Sequence, residues 1–217
     1  MHATTLNATC QSPQTLHTIG HSTRSLAAHI ELLRLHSIAI LIDVRRWPAS
    51  RRLPHFNRAA LAAALQLEGI DYLWRGDLGG FRKASPDSPN TGWRVAAFRA
   101  YADFMLQEEF ARIMKEMEII AGERRAALMC AEAVPWRCHR SLIGDALLIR
   151  GIRTEDIMSS TRCQVHSLTT FAKVSGTTIT YPAEDLQSAR TKSRRKHFGS
   201  QQAGMMRREK AKMGKTT

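Results

Sequence analysis

The run IAILID, residues 38–43, decides the fold class of this chain. An apolar run that stops at an aspartate is typical of a central strand in a parallel sheet, because such a strand is buried on both faces. Further strands are predicted at TLHTIG (15–20), IDYLW (70–74), RAALMC (125–130) and residues 152–158. Helical patterns separate these strands. The alternation predicts an α/β domain with a mostly parallel sheet and helices on both faces.

Four helical regions are predicted between the strands. Ser25 is positioned to cap the first one and Asn57 to cap the second. The third region is long and is expected to break near Asp103 into two helices. The predicted ranges are 26–36, 58–69, 93–123 and 139–150.

Length and charge divide the chain into three parts. Its 217 residues suit one α/β domain, predicted at 15–186, between a disordered leader at 1–14 and a disordered basic tail at 187–217. The net charge is +13, and the tail alone holds ten basic residues and one acid. Such an arm favours nucleic acid through neutralisation of phosphates. A role in solubility alone stays open.

The chain shows no membrane or secretory signal. No apolar stretch is long enough to span a bilayer, and the first residues lack a basic segment followed by an apolar one. A cytoplasmic location and no membrane partner are therefore expected. In that compartment the four cysteines, at 10, 130, 138 and 163, are expected to be reduced thiols, ligands or nucleophiles rather than a disulfide framework.

Polar residues follow four of the predicted strands at their carboxyl ends, where parallel sheets bind ligands. We predict that they share one site. The proposed catalytic residues are Cys138, Cys130, Glu132, His139 and Asp43. The proposed substrate-binding residues are His21, Ser22, Arg24, Arg45, Arg75, Gly79, Gly80 and Arg140.

Several of these residues also have an ordinary structural explanation. Asp43 is suited to capping a turn, and His21 to a satisfied position in the core. The pair Gly79 and Gly80 favours either a turn with positive φ or close approach of backbone N–H groups to a phosphate. The prediction of a site therefore depends on the shared location of the residues.

The segment MCAEAVPWRCHRS, residues 129–141, contains the candidate nucleophiles. Cys138 precedes a predicted helix and has cationic neighbours, which favours its thiolate. Cys130 is then a resolving or neighbouring thiol. Glu132 is placed to act as a general acid or base, or to orient His139.

A metal site is the second interpretation of this segment. Cys130, Cys138, His139 and Glu132 are residue types that bind zinc. The spacing of the two cysteines is unusual for a ligand pair, and adjacent Cys and His seldom face one ion. A zinc-deaminase pattern is excluded because no second C-x-x-C partner follows. No metal or cofactor is therefore assigned.

Five segments carry a family resemblance: TIGHSTRSL, LIDVRRWPASRRLPHFN, YLWRGDLGGFR, FRAYADFM and ALMCAEAVPWRCHRSLIGDAL. They are similar to the bacterial domain of unknown function family numbered 488, over about residues 16–157. That resemblance implies no established activity. The chain also resembles rhodanese-like sulfurtransferases more loosely. That resemblance implies a rhodanese-like or related three-layer sandwich, with Cys130 as nucleophile and Arg140 as an anion ligand. The loop here is longer and has a second cysteine.

The crevice is expected to bind an anion, because many arginines flank it and the guanidinium group fits phosphate bidentately. These are Arg24, Arg45, Arg46, Arg51, Arg52, Arg75, Arg82, Arg137 and Arg140. The predicted function is a cysteine-dependent enzyme acting on a phosphate-bearing substrate, either a nucleotide or nucleic acid. The alternative is a non-catalytic nucleic-acid-binding module with a structural Cys/His metal site.

Overall fold

A computed structural model describes residues 14–183, so the predicted leader (except for residue 14) and the basic tail lie outside the described residues. A six-stranded sheet has the order β3-β2-β4-β1-β5-β6. Its strands are β1 (Thr15–Gly20), β2 (Ile40–Asp43), β3 (Asp71–Trp74), β4 (Ala126–Cys130), β5 (Arg153–Ile157) and β6 (Cys163–Val165). The first five strands are parallel and β6 is antiparallel to β5. This arrangement confirms the mostly parallel sheet. A separate hairpin pairs β7 (Lys173–Ser175) with β8 (Thr178–Thr180).

Five helices connect the strands. They are α1 (Leu26–Leu35), α2 (Arg58–Leu67), α3 (Ala96–Phe104), α4 (Glu108–Glu123) and α5 (Arg140–Leu148). The hydroxyl of Ser25 accepts a hydrogen bond from the backbone N–H of Ala28, which confirms the predicted cap of α1. Asn57 flanks α2, but its side chain instead accepts from the backbone N–H of Ser50. No helix in the described part of the chain is long and apolar enough to cross a membrane.

The sheet separates two apolar cores. Along β4, Ala126 and Leu128 pack into one core with residues of α3, α4 and α5. The alternate residues Ala127 and Met129 pack into the other core with residues of α1 and α2. All four side chains are fully buried, and burying one side chain of leucine or methionine size contributes about 1.5–3 kcal/mol. The helices therefore cover both faces, as the apolar strands predict.

The central strands end together at one edge of the sheet. Gly20 lies opposite Cys130 in the pairing of β1 with β4, and Asp43 lies opposite Met129 in the pairing of β2 with β4. The loop after β4 then passes over the end of β1, so a Cβ atom at Gly20 would lie 2.0 Å from the carbonyl oxygen of Glu132. Only glycine fits there. This packing fixes the loop that bears the candidate nucleophiles.

Candidate functional site

A cavity of about 470 Å³ opens at the carboxyl edge of the sheet. One wall contains Cys130, Cys138 and His139, so three predicted catalytic residues meet there. The other walls are apolar or cationic. They contain Arg45, Arg46, Trp47, Gly80, Phe81, Ala97, Phe98, Tyr101, Ala131, Glu132 and Arg137. The cavity is thus suited to a ligand with both a flat apolar part and an anionic group.

The chain brings the two cysteines together by turning back after β4. Cys130 is the last residue of the strand, and a short 3₁₀ turn at Pro135–Arg137 returns the backbone to Cys138. The two sulfur atoms and a ring nitrogen of His139 all lie within 4.8 Å of one another. Both cysteines are free thiols, and Cys138 is only 4% exposed.

The surroundings of Cys138 favour its thiolate. A hydrogen bond from the Cys130 thiol holds the pKa of Cys138 well below its ordinary value, with further contributions from His139 and Arg140. Nε of Arg140 donates to Cys138 Sγ over 3.5 Å, and Nδ1 of His139 lies 3.7 Å from the same sulfur. The same hydrogen bond, together with burial, raises the pKa of Cys130. The negative charge of the pair therefore resides on Cys138, where the cationic donor is.

Arg140 is buried behind the cysteines, with 2% of its surface exposed. Its Nη1 donates to Thr18 Oγ1 over 3.1 Å and its Nη2 donates to the carbonyl of Glu132 over 2.5 Å. With Nε directed at Cys138, each of its three nitrogens has a protein partner. Arg140 therefore positions the loop and the thiolate, whereas sequence reasoning placed it on the substrate.

Asp43 and Arg45 form a buried bidentate ion pair. Nε and Nη2 of Arg45 donate to the two carboxylate oxygens over 2.8 and 2.6 Å, and the hydroxyl of Tyr72 donates to the carboxylate over 2.6 Å. Asp43 is fully buried and its hydrogen-bonding capacity is used, while Arg45 reaches the cavity wall. The structure thus places Asp43 where it positions Arg45, and Asp43 itself does not line the cavity.

His21 belongs to the same buried network. Its Nε2 lies 3.2 Å from Nη1 of Arg45, and its Nδ1 lies 2.9 Å from the carbonyl oxygen of Ser22. Burial and the nearby Arg45 lower its pKa to about 4, so the ring is neutral at pH 7. Nδ1–H then donates to Ser22, and Nε2 accepts from Arg45. His21 also stacks on Phe56, with ring centroids 4.1 Å apart. It supports Arg45 from behind.

The glycine pair has two different roles. A Cβ at Gly79 would lie 2.6 Å from Cβ of Arg46, so this position requires close approach of two backbones. Gly80 lines the cavity, and its nearest neighbour would be Nδ1 of His139 at 3.6 Å. The positive φ in this loop belongs to Phe81, with φ of 60°. The expected positive-φ turn therefore occurs one residue after the pair.

Besides His21, Gly79 and Arg140, three more of the predicted binding residues lie outside the cavity wall. Arg75 forms ion pairs with Asp77 and Glu116, which use its guanidinium group. Arg24 donates to the carbonyl of Gly20, and Ser22 is a turn residue whose N–H donates to Ala131. Glu132 does line the cavity, and its Oε1 accepts from the backbone N–H of Val134 over 3.2 Å.

Sequence reasoning missed the aromatic residues of the cavity. Trp47, Phe81 and the α3 residues Phe98 and Tyr101 come from three separate segments of the chain. For Trp47 and Phe81 a signal was available, because each is a large aromatic residue within an arginine-rich loop. No comparable signal marks Tyr101, which belongs to the apolar face of a helix.

The residues Cys130, Cys138 and His139 also have the donor atoms of a soft-metal site. Two sulfurs and one nitrogen within 4.8 Å of one another match the three protein ligands of a zinc site that keeps one open position. The second ring nitrogen of His139, Nε2, is buried without a hydrogen-bond partner among residues 14–183. The trio therefore has the atoms either to hold a metal or to act as a thiolate pair.

Fold and site together define a class of protein: a three-layer α/β domain with a cysteine-lined cavity at the carboxyl edge of its sheet. Within that class, the chain belongs to the family described as Domain of unknown function DUF488, whose model matches residues 25–147. This match confirms the family resemblance of the sequence motifs. No curated protein and no solved structure gives a significant match to the chain.

Proposed function

We propose that the protein is a cysteine-dependent enzyme that acts on an anionic, phosphate-bearing substrate, with Cys138 as nucleophile. One observation carries the proposal: Cys138 Sγ accepts a hydrogen bond from the guanidinium of Arg140 over 3.5 Å on the wall of a 470 Å³ cavity. A thiolate held in that way is a strong nucleophile near neutral pH. The reduced state that it needs fits a cytoplasmic location.

The choice of Cys138 over Cys130 follows from the charges around each sulfur. Cys138 has Arg140 and His139 as neighbours, while Cys130 has its pKa raised by the hydrogen bond that it donates. Cys130 is partly exposed at the cavity and next to Cys138, which suits a resolving thiol or a local proton source. Glu132 and His139 are the further acid–base groups on the cavity wall.

The expected anion binds mainly through arginines that have no acidic partner among the described residues. Arg46 and Arg137 line the cavity, are exposed, and form no ion pair with a described residue. Arg45 adds a guanidinium whose position is fixed by Asp43. Arginine binds phosphate with two parallel hydrogen bonds, so this set favours a phosphate group over other small anions.

The experiment is competitive alkylation of the full chain by iodoacetamide across a pH series, with mass mapping of each cysteine. We expect Cys138 to react fastest near pH 7, and a Cys130→Ala variant to slow that reaction because the hydrogen bond to the thiolate is lost. Cys163 is the internal control, because its pKa is raised by burial. Faster modification of Cys163 than of Cys138 in metal-free protein would refute the assignment of Cys138 as the nucleophile.

A metal-binding module is the second candidate, and the closeness of the three soft donors of Cys130, Cys138 and His139 favours it. A structural zinc ion contributes to folding directly. We then expect about one zinc per chain and a Cys138→Ser variant that loses both zinc and thermal stability. If Cys138 is instead a nucleophile, the Cys138→Ser variant is expected to stay folded and to bind ligand. Zinc content and melting temperature of this variant therefore separate the two candidates.

A further inference from the structure

Two aromatic side chains lie at the mouth of the cavity with most of their surface in solvent. Trp47 is 64% exposed and Phe81 is 82% exposed. Their ring centroids are 5.3 Å apart and their planes are inclined by 48°. Adjacent exposed aromatic residues beside a polar cavity are typical of a binding surface.

The backbone at Phe81 holds its ring in this exposed position at a cost. Its φ of 60° is in the left-handed region, which bulky residues seldom adopt. Gly79, two residues before Phe81, packs against the backbone of Arg46, which fixes the loop. Strain of this kind persists mainly where a ligand clamp needs it. The exposure of the phenyl ring is therefore a fixed feature of the loop.

A second, more open groove of about 660 Å³ adjoins the cavity. Arg46 and Trp47 line both spaces, so the cavity and the groove meet at these two residues. The floor of the groove contains Trp74, and the guanidinium of Arg58 lies 4.3 Å from the centroid of that ring. The groove therefore offers a second aromatic face with a cation over it.

The surface around these rings is cationic. Arg46 and Arg58 line the groove and are exposed, and neither forms an ion pair with another described residue. Arg51 and Arg52, in the loop that follows Trp47, are also exposed and without an ion pair to a described residue. Asp77 and Glu109 are the acids of the groove, and Asp77 is already paired with Arg75. The ligand of this surface is therefore expected to be an extended polyanion.

We propose that the cavity and groove together bind single-stranded nucleic acid, with bases stacked on Trp47 and Phe81 and phosphates held by the neighbouring arginines. Alternating aromatic and cationic groups are the usual means of binding single strands. A duplex keeps its bases stacked internally, and an acidic peptide has no flat faces to stack. The proposal rests on the proposed function, because it names the substrate of the same cavity.

The test is fluorescence anisotropy of the full chain with labelled ten-nucleotide single strands of mixed sequence, one DNA and one RNA, at about 150 mM salt. Replacing Trp47 or Phe81 by alanine is expected to weaken binding about tenfold each. Ile119→Ala is the matched control, because Ile119 is 59% exposed on α4 and lies outside both spaces. Comparable melting temperatures show that the variants remain folded.

A second probe separates stacking from phosphate contacts. An oligonucleotide of equal length and charge with abasic sites is expected to bind wild-type protein as weakly as the Trp47→Ala/Phe81→Ala variant binds the normal strand. Equal wild-type affinity for the abasic and normal strands would overturn the proposal. Binding of a glutamate-rich peptide as tightly as the normal strand would also overturn it, because that result would indicate an acidic protein partner.

These outcomes are independent of the cysteine chemistry. The affinity for the strands and the alkylation rate of Cys138 are both measured on wild-type protein, so each is scored separately. Stacking-dependent binding with an unreactive Cys138 would refute the proposed nucleophile and leave the nucleic-acid surface standing. A reactive Cys138 without stacking-dependent binding would refute the nucleic-acid substrate alone. The DNA and RNA strands show which of the two sources of this ligand is preferred.

Discussion

Replacement of Arg140 by methionine tests the central contact of the site. Methionine keeps much of the length of the side chain but removes its charge and all of its hydrogen-bond donors. In the native protein those donors reach Thr18, Glu132 and Cys138. We therefore expect two separate effects: a loss of stability, and a loss of thiolate character at Cys138.

The size of the stability effect follows from the three contacts. Hydrogen bonds that involve a charged group contribute about 1.5–3 kcal/mol each, and bonds that share one side chain are not additive. Arg140 is 2% exposed, so in the variant water cannot reach the three acceptor groups that lose their hydrogen bonds to the guanidinium. We expect a loss of about 3–5 kcal/mol in the free energy of unfolding, as for other buried charged groups that lose a partner. Many domains have only about 5–15 kcal/mol in total.

The assays are urea denaturation and the alkylation rate of Cys138 at pH 7. The rate is expected to fall about tenfold, because removing the guanidinium moves the pKa of Cys138 back toward its ordinary value. Arg140→Lys retains the charge and is expected to lose less of both stability and rate. Arg34→Met is the matched control, since the side chain of Arg34 is 60% exposed and its surface ion pair with Glu68 contributes less than about 1 kcal/mol.

The result that would refute this reasoning is a folded Arg140→Met protein whose Cys138 reacts as fast as in wild type. The thiolate would then owe nothing to the guanidinium. A stability loss no larger than that of Arg34→Met would show that the three hydrogen bonds contribute little.

Two further predictions concern the buried polar groups. Because the pKa of His21 falls from 6.5 in the unfolded chain to about 4 in the fold, the stability it contributes is present above pH 6.5 and is lost as pH falls through 4. His21→Gln is expected to remove up to about 3 kcal/mol of that pH dependence, measured as urea midpoints across this range; an unchanged profile contradicts it. Asp145 is fully buried and bonds both His166 and Tyr181. Asp145→Asn is expected to lower the free energy of unfolding by about 2–4 kcal/mol, measured by urea denaturation. The control Glu68→Gln is expected to lower it by less than about 1 kcal/mol, and equal losses in the two variants would contradict the prediction.

Much of the fold is encoded locally. The apolar run at 38–43 favours a strand buried on both faces over other local structures. The pattern at 125–130 predicted β4 in the same way. The short antiparallel strands at 163–165 and 173–175 were not predicted, since three exposed or half-exposed residues carry no periodicity. Those strands form because β5 and a hairpin partner offer hydrogen bonds, which is information outside the segment itself.

The sequence by itself determined the fold class and the edge of the sheet where several of the candidate residues meet, because hydrophobic period and strand ends are local properties. It also brought Cys130, Cys138 and His139 into consideration. Only the tertiary structure decided which polar residues support others and which face the cavity. Asp43, His21 and Arg140 are turned to buried partners, while Trp47 and Phe81 meet across loops more than thirty residues apart. Side-chain direction depends on packing between distant segments, and no local pattern contains that packing.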